Sequence, residues 1–294
     1  MTDQPSAAPP TIVLVLGATG MLGHVICDEL ASAFEVHGGV RDVARARRLG
    51  LTVPLHEMDA LDPDGIDALI DRLRPAVVIN AVGLVKQLDE ASRPVPAIAI
   101  NALLPHRLNE SCAARGARLI HVSTDCVFSG ELPAPAAYKQ DDRPDARDLY
   151  GLSKLLGEVT AAPGLTLRTS IIGWELERAS GLLEWFASQD GHEVSGYTNA
   201  VFSGFTTRAL ARIVGRLIVE HPDMTGLWQV SADPIAKFDL LVALRDVLGM
   251  TCEIRPVDEP HVNRALDSSP FRAATGIEAP SWDQMLSELK EGRR

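Results

Sequence analysis

Long apolar runs are missing from this chain: nowhere does it hold the roughly 20 consecutive apolar residues that a membrane-crossing helix needs, and no membrane partner is expected. Cysteine is scarce. Cys27, Cys112, Cys126 and Cys252 stand far apart without paired-ligand spacing, which argues against a structural zinc site and a disulfide framework and suits a reducing compartment. Positive charge is in deficit as well. The formal net charge is −11, so a nucleic-acid backbone is not an expected partner. His24, His37, His56, His106, His121, His192, His221 and His261 show no metal-ligand pairing, so no metal site is expected. Residues 1–10, rich in Pro, Ala and Ser, lack the basic and apolar parts of a secretory signal and read as a flexible tail. A cytoplasmic protein is the expectation.

What the chain does have is apolar content, 46% over 294 residues, enough for a large α/β unit with a smaller appendage. Residues 11–17 form an apolar run ending in glycine, the mark of a strand buried on both faces. Gly17, Gly20 and Gly23 follow as G-x-x-G-x-x-G, with Thr19, Met21 and Leu22 between them and a helix beginning near Met21. Glycines there let the backbone turn tightly and approach a pyrophosphate at the helix N-terminus. Further strands are expected over 35–40, 53–57, 76–80, 118–122 and 165–172, alternating with helices that include 43–49 and 94–115. This rhythm predicts a doubly wound parallel sheet of the Rossmann type. Its ligands collect at the C-terminal strand ends, where Gly17, Arg41, Asp59 with Ala60, and Asn80-Ala81-Val82-Gly83 all fall.

Arg41, directly off the second strand, suits the extra phosphate of NADP, while Asp42 has a rival explanation as the N-cap of the next helix. The expectation is NADP(H), with NAD(H) left open. Arg45, Arg47 and Arg48 read mostly as a solvated helix face. Thr124, at the end of the fifth strand, is a candidate donor to a substrate oxygen, or else part of a turn-forming Ser-Thr-Asp cluster. Beyond a polar, proline-bearing loop comes Tyr150-Gly-Leu-Ser-Lys154, a phenol and an ammonium one helical turn apart on one face. A fixed positive charge near a phenol favours the phenolate and brings the group towards a working pKa. Glu158, beyond Lys154, reads as a helix-face charge. The rhythm breaks after Gly173, so 11–172 reads as the nucleotide-binding domain, rejoined by 208–232. Residues 173–207 and 233–294 then read as a mixed α/β substrate-binding domain, with helices near 237–248 and 281–291.

These residues together resemble the extended short-chain dehydrogenase/reductase superfamily, and within it the dTDP-4-dehydrorhamnose reductase-like, sugar-nucleotide-modifying branch. The likeness covers nearly the whole chain after Pro10. It rests on glycines 17, 20 and 23, on 80–83, on Ser123-Thr-Asp-Cys-Val-Phe128, on Tyr150 to Lys154 and on Leu167-Arg-Thr-Ser170. The resemblance implies NADPH-dependent reduction of the ketone of a nucleotide-linked 4-keto-6-deoxy sugar. Thr124 would polarise the carbonyl, Tyr150 donate the proton, and Lys154 lower the phenol's pKa while holding the nicotinamide ribose. Asp59 would meet the adenine amino group and Asn101 support the active-site backbone. Asp125, Cys126, Val127 and Tyr197 would face the substrate, and Arg264 its diphosphate. The chain departs from the branch at Cys126, usually aromatic there, and over Thr198 to Thr207, which lack the usual Gln and Pro-Thr pair. Two alternatives stay open: an NAD-dependent epimerase or dehydratase of the same fold, and a non-catalytic nucleotide-binding subunit, since the regulatory subunit of methionine adenosyltransferase belongs to the branch. Dimers are common in this architecture, but no residue here requires a homodimer.

Overall fold

A computed structural model describes residues 11–85, 92–177 and 180–290. The initial apolar run forms β1 (Ile12–Leu16), and α1 (Gly23–Leu30) follows the glycine turn. β2 (Glu35–Val40) leads into α2 (Val43–Arg48), capped by Asp42, whose carboxylate accepts from the Arg45 amide at 2.8 Å. β3 (Leu55–Glu57), shorter than the expected 53–57, precedes α3 (Pro63–Leu73). Pro63 presets the first turn of α3, Asp62 caps it, and Arg74 closes it at φ 47°. After β4 (Val77–Asn80) comes the long helix of 94–115: α4 (Pro94–Ala97), a π-helical stretch (Ile98–Leu103) and α5 (Leu104–Arg115). β5 (Arg118–Val122) runs into a 3-10 turn (Asp125–Val127), and α6 (Leu149–Leu156) starts from the Asp148 cap.

The strand expected over 165–172 is two. β6 (Gly164–Arg168) stays in the main sheet, while β7 (Ile171–Ile172) leaves it. The intervening residues are held elsewhere: the Thr169 carbonyl accepts from the Asp125 amide, and that of Ser170 from the Phe205 amide. The chain continues through α7 (Leu182–Ala187), β8 (Glu193–Tyr197), β9 (Ala200–Phe202), β10 (Phe205–Thr206) and α8 (Thr207–Glu220). It ends with β11 (Gly226–Gln229), β12 (Ile235–Ala236), α9 (Lys237–Leu248), β13 (Glu253–Val257), β14 (Val262–Asn263), α10 (Ser269–Thr275) and α11 (Trp282–Leu289).

Seven parallel strands form the main sheet in the order β11-β6-β5-β4-β1-β2-β3. The chain works outward from β1 to β3, then crosses back to β4 on the other side of β1. That reversal opens a crevice between the ends of β1 and β4, where Leu16 lies opposite Asn80. β1 alternates between two cores. Val13 and Val15 pack with residues of α1 and α8, Leu14 and Leu16 with residues of α3 and α5. All four are fully buried, a gain of roughly 1.5–3 kcal/mol each over exposure, and this fixes the sheet between its helix layers. A third core gathers Leu183 and Phe186 of α7, Leu240 and Leu244 of α9 and Leu286 of α11 around three small sheets, β10-β7, β12-β9-β14 and β13-β8.

Candidate active site

The glycine turn is shaped by close approach. Gly17 has φ +81°, and a side chain there would crowd the main chain of Ala81 and Val82 at 3.1 Å. A Cβ on Gly23 would collide with the Gly17 carbonyl oxygen. The first turn of α1 has no side-chain cap at Leu22, and its His24 amide donates to the Gly20 carbonyl at 3.2 Å, which folds the glycine turn against the helix start. A cradle that side chains would fill, ahead of an uncapped helix, fits the pyrophosphate of a dinucleotide. Thr19 is partly exposed on this turn, and Met21 lies against Gly181. Leu22 is in the core, so only its main chain can face a ligand.

Around the cradle, Arg41 is exposed off the end of β2. Arg45 instead pairs with Glu177 at 2.6 Å, and Arg47 donates to the Leu51 and Thr52 carbonyls. Asp59 uses one carboxylate oxygen to accept from the Leu61 amide at 2.9 Å, and a pocket lined by Ala60, Leu61 and Arg107 adjoins it. Asn80 is turned inward: its Oδ1 accepts from the Val82 amide (3.1 Å), and its Nδ2 meets His121 Nδ1 (3.1 Å). Asn80 thereby shapes the 81–83 backbone. Asn101, in the π-helical stretch, accepts from the Leu84 amide (2.9 Å) and donates to the Leu84 carbonyl (3.0 Å) and Ser153 Oγ (3.2 Å). Ser153 in turn donates to the Tyr150 carbonyl, so one amide ties the 83–84 backbone to α6.

Thr124 takes the turn-forming role that its Ser-Thr-Asp setting offered. Its hydroxyl caps the 3-10 turn by accepting from the Cys126 amide at 3.1 Å, and it is near enough to the Tyr150 phenol to favour its ionised form. It lies 3.3 Å from Asp125 Oδ1. Burial pushes the Tyr150 phenol well above its ordinary range, with the Cys126 thiol adding to this and the Thr124 hydroxyl opposing it. The Lys154 ammonium, one turn further along α6, donates through Nζ to the Val122 carbonyl at 2.7 Å. Burial brings Lys154 down to about 8, partly offset by Glu158, so it remains largely charged at neutral pH.

Glu158 is not a helix-face charge. α6 ends at Leu156 with Gly157 as its cap, so Glu158 lies past the helix and turns inward. There it makes a bidentate pair with Arg168 (2.7 and 2.7 Å) and accepts from Ser123 Oγ (2.8 Å), both charged side chains being nearly enclosed. Val127 is a second correction. It is fully buried in an apolar cluster with Phe128, Tyr138 and Leu266 instead of facing the crevice. Arg264 does approach Asp125, but its Nε and one terminal nitrogen donate to the Phe128 and Ser129 carbonyls (2.9 and 3.0 Å). Tyr197 ends β8 with its side chain exposed, and no contact among the described residues joins it to this group. Cys126 is partly buried, and burial raises its thiol to about 12, which makes it a filler of the crevice wall and not a nucleophile.

One residue of the site gave no sequence signal. Lys237, first in α9, stands over the Phe202 ring with Nζ 4.3 Å from its centroid and within electrostatic reach of Asp125 and Cys126. Nothing near it in the chain marks it, because its neighbours in space come from β9 and from the turn after β5.

A phenol, a hydroxyl and an ammonium beside a pyrophosphate cradle can protonate, polarise and orient at a carbonyl. Comparison with known proteins extends over nearly the whole chain. The chain is 27% identical over 95% of its length to a dTDP-4-dehydrorhamnose reductase of Aggregatibacter actinomycetemcomitans, 98% of which is covered. It is 33% identical to a probable low-salt glycan biosynthesis reductase of Haloferax volcanii, with 94% of this chain and 96% of the relative covered. A solved dTDP-4-dehydrorhamnose reductase from Bacillus anthracis, in complex with NADP, superposes with a TM-score of 0.80 at 20% identity, covering 97% of this chain and all of that one, and shares its fold. The model of the RmlD substrate binding domain family matches residues 11–291, and the chain belongs to that family.

Proposed function

We propose that the protein is an NADPH-dependent oxidoreductase that reduces the ketone of a nucleotide-linked 4-keto-6-deoxy sugar. The observation that carries this is the approach of Thr124, just past the end of β5, to Tyr150 on α6, with Lys154 one turn along that helix. When bound, the reduced nicotinamide supplies hydride to the carbonyl carbon. The glycine turn and the α1 N-terminus hold the pyrophosphate, Arg41 the additional phosphate, and Asp59 with Ala60 the adenine. The 80–83 backbone borders the cofactor, and Lys154 holds its ribose. Thr124 donates to the substrate oxygen; one well-placed donor of this kind is worth about 3 kcal/mol in the transition state. Tyr150, kept protonated by burial, delivers its proton to the nascent alkoxide. Asp125 and Cys126 face the sugar. Arg264 serves them by pinning the 128–129 backbone.

The stretches 173–207 and 233–294 form the sugar-binding part, closing on the nucleotide-binding part through Lys237 and Arg264. No described helix is long and apolar enough to cross a membrane. The partner is a second copy of the chain, docked through α4–α5 and α6, which pack together and leave Val95, Ile98, Leu103, Leu152 and Leu156 exposed.

Loss of NADPH absorbance with a panel of keto-sugar nucleotides tests the activity. Turnover that depends on added NADPH is expected. Purified protein carrying bound NAD and turning over without reductant would instead make it an epimerase or dehydratase, and nucleotide binding without turnover would make it a subunit.

A further inference from the structure

Next to Thr124, two opposite charges act on each other without forming an ion pair. On one side is Asp125, 5% exposed, contacted by the Thr124 hydroxyl at 3.3 Å. On the other is Lys237, whose position is set by the β12–β9 ladder: Ile235 opposes Phe202 and Ala236 opposes Val201, so the next residue emerges beside the Phe202 ring. The ring face holds the ammonium by cation–π attraction and denies it water on that side. Among the described residues, Lys237 makes no hydrogen bond or ion pair. The remaining local cation, Arg264, spends two of its nitrogens on main-chain carbonyls. Cys126, which is within electrostatic reach of both, is kept an uncharged thiol by burial.

The ammonium is desolvated without a hydrogen-bond acceptor, while the buried carboxylate, reached by the Thr124 hydroxyl at 3.3 Å, keeps acceptor capacity for a further donor. One group satisfies both at once. A hydroxyl donates to the carboxylate and accepts from the ammonium, whereas a phosphate or carboxylate would satisfy Lys237 while being repelled by Asp125. Resting on the reductase reading above, we infer that Lys237 is a specificity-determining residue that, across from Asp125, reads a ring hydroxyl of the substrate's sugar.

The test uses the full chain loaded with NADPH and compares wild type with Lys237→Met and Lys237→Arg. Calorimetry with dTDP-glucose and with dTDP reads the site without turnover, and steady-state kinetics follow with dTDP-4-keto-6-deoxyglucose. Lys237→Met is expected to weaken dTDP-glucose at least tenfold and raise KM by a similar factor. Its affinity for dTDP and for NADPH stays within twofold of wild type and kcat within threefold. Lys237→Arg, which keeps the charge, recovers most of the loss. Equal weakening of dTDP and dTDP-glucose would place the ammonium on the diphosphate and overturn the inference, as would unchanged affinity for both. Wild type that binds dTDP-glucose with this Lys237 dependence, yet never oxidises NADPH, would sink the reductase reading and leave the hydroxyl subsite standing.

Discussion

At the scale of single residues, the pair Tyr150 and Lys154 carries opposite consequences of the same burial. Burial holds the phenol neutral and weakens the hold of the ammonium on its proton. Tyr150→Phe removes only the proton donor, so turnover should fall on the order of a thousandfold while NADPH affinity, measured by fluorescence titration, stays near wild type. Near-normal turnover would mean that another group is the acid. Lys154 makes a prediction about stability. Its folded-state value, about 8, lies below its ordinary 10.5, so between those values the unfolded chain binds the proton that the folded chain releases. Stability attributable to this residue therefore rises with pH across that window and is lowest below it. The span corresponds to a penalty on the order of 3 kcal/mol below pH 8. Cys126 and Tyr150, both raised by burial, act in the reverse direction at alkaline pH, so the comparison must be against Lys154→Met. In urea titrations the variant should be the more stable at pH 7, the gap closing towards pH 10. A gap that does not vary with pH would place the ammonium in solvent.

At the scale of elements, the Ser123–Glu158–Arg168 network joins the end of β5, the residue beyond α6 and the end of β6 just behind Lys154. Removing one charge of a buried pair leaves the other without compensation, at about 3–5 kcal/mol. Arg168→Met should therefore destabilise by about that amount in chemical denaturation. The double variant Arg168→Met with Glu158→Leu should cost clearly less than the sum of the two single changes; strict additivity would show that the pair is not coupled. This network also marks where the sequence stops being informative. The glycine turn, the strand at 77–80 and the Tyr150–Lys154 helix were legible because each is specified within a few residues by steric need, apolar run or helical spacing. Glu158 was misread because helical spacing was carried past Gly157, and the cap that ends α6 depends on close approach to the Asn101 carbonyl, contributed by another element. Val127 was misread for a related reason: packing against Phe128 and Tyr138, not any local pattern, draws the last residue of the turn at 125–127 into the core. Lys237 was invisible because strand pairing between β9 and β12, not local pattern, brings it to Asp125.

At the scale of the molecule, the seven-stranded sheet leaves its crevice on one edge and a broad apolar face on its flank. Five of the ten large apolar side chains that are exposed among the described residues, Val95, Ile98, Leu103, Leu152 and Leu156, lie on one packed helical pair. A pair of helices meeting its own copy about a two-fold axis would bury such a face as a four-helix arrangement. The side chains proposed for the chemistry point elsewhere: Lys154 is directed to β5, and Tyr150 to Thr124. Assembly and chemistry should therefore separate. Sedimentation of the wild type should report about twice the chain mass of 31.6 kDa. Val95→Glu with Leu156→Glu, both at well-exposed positions where a charge costs the monomer little, should give a single-chain species with an unchanged melting profile at low protein concentration and turnover per chain within a few-fold of wild type. A wild type that sediments as one chain, or a double variant that still sediments as two, would remove this face as the interface.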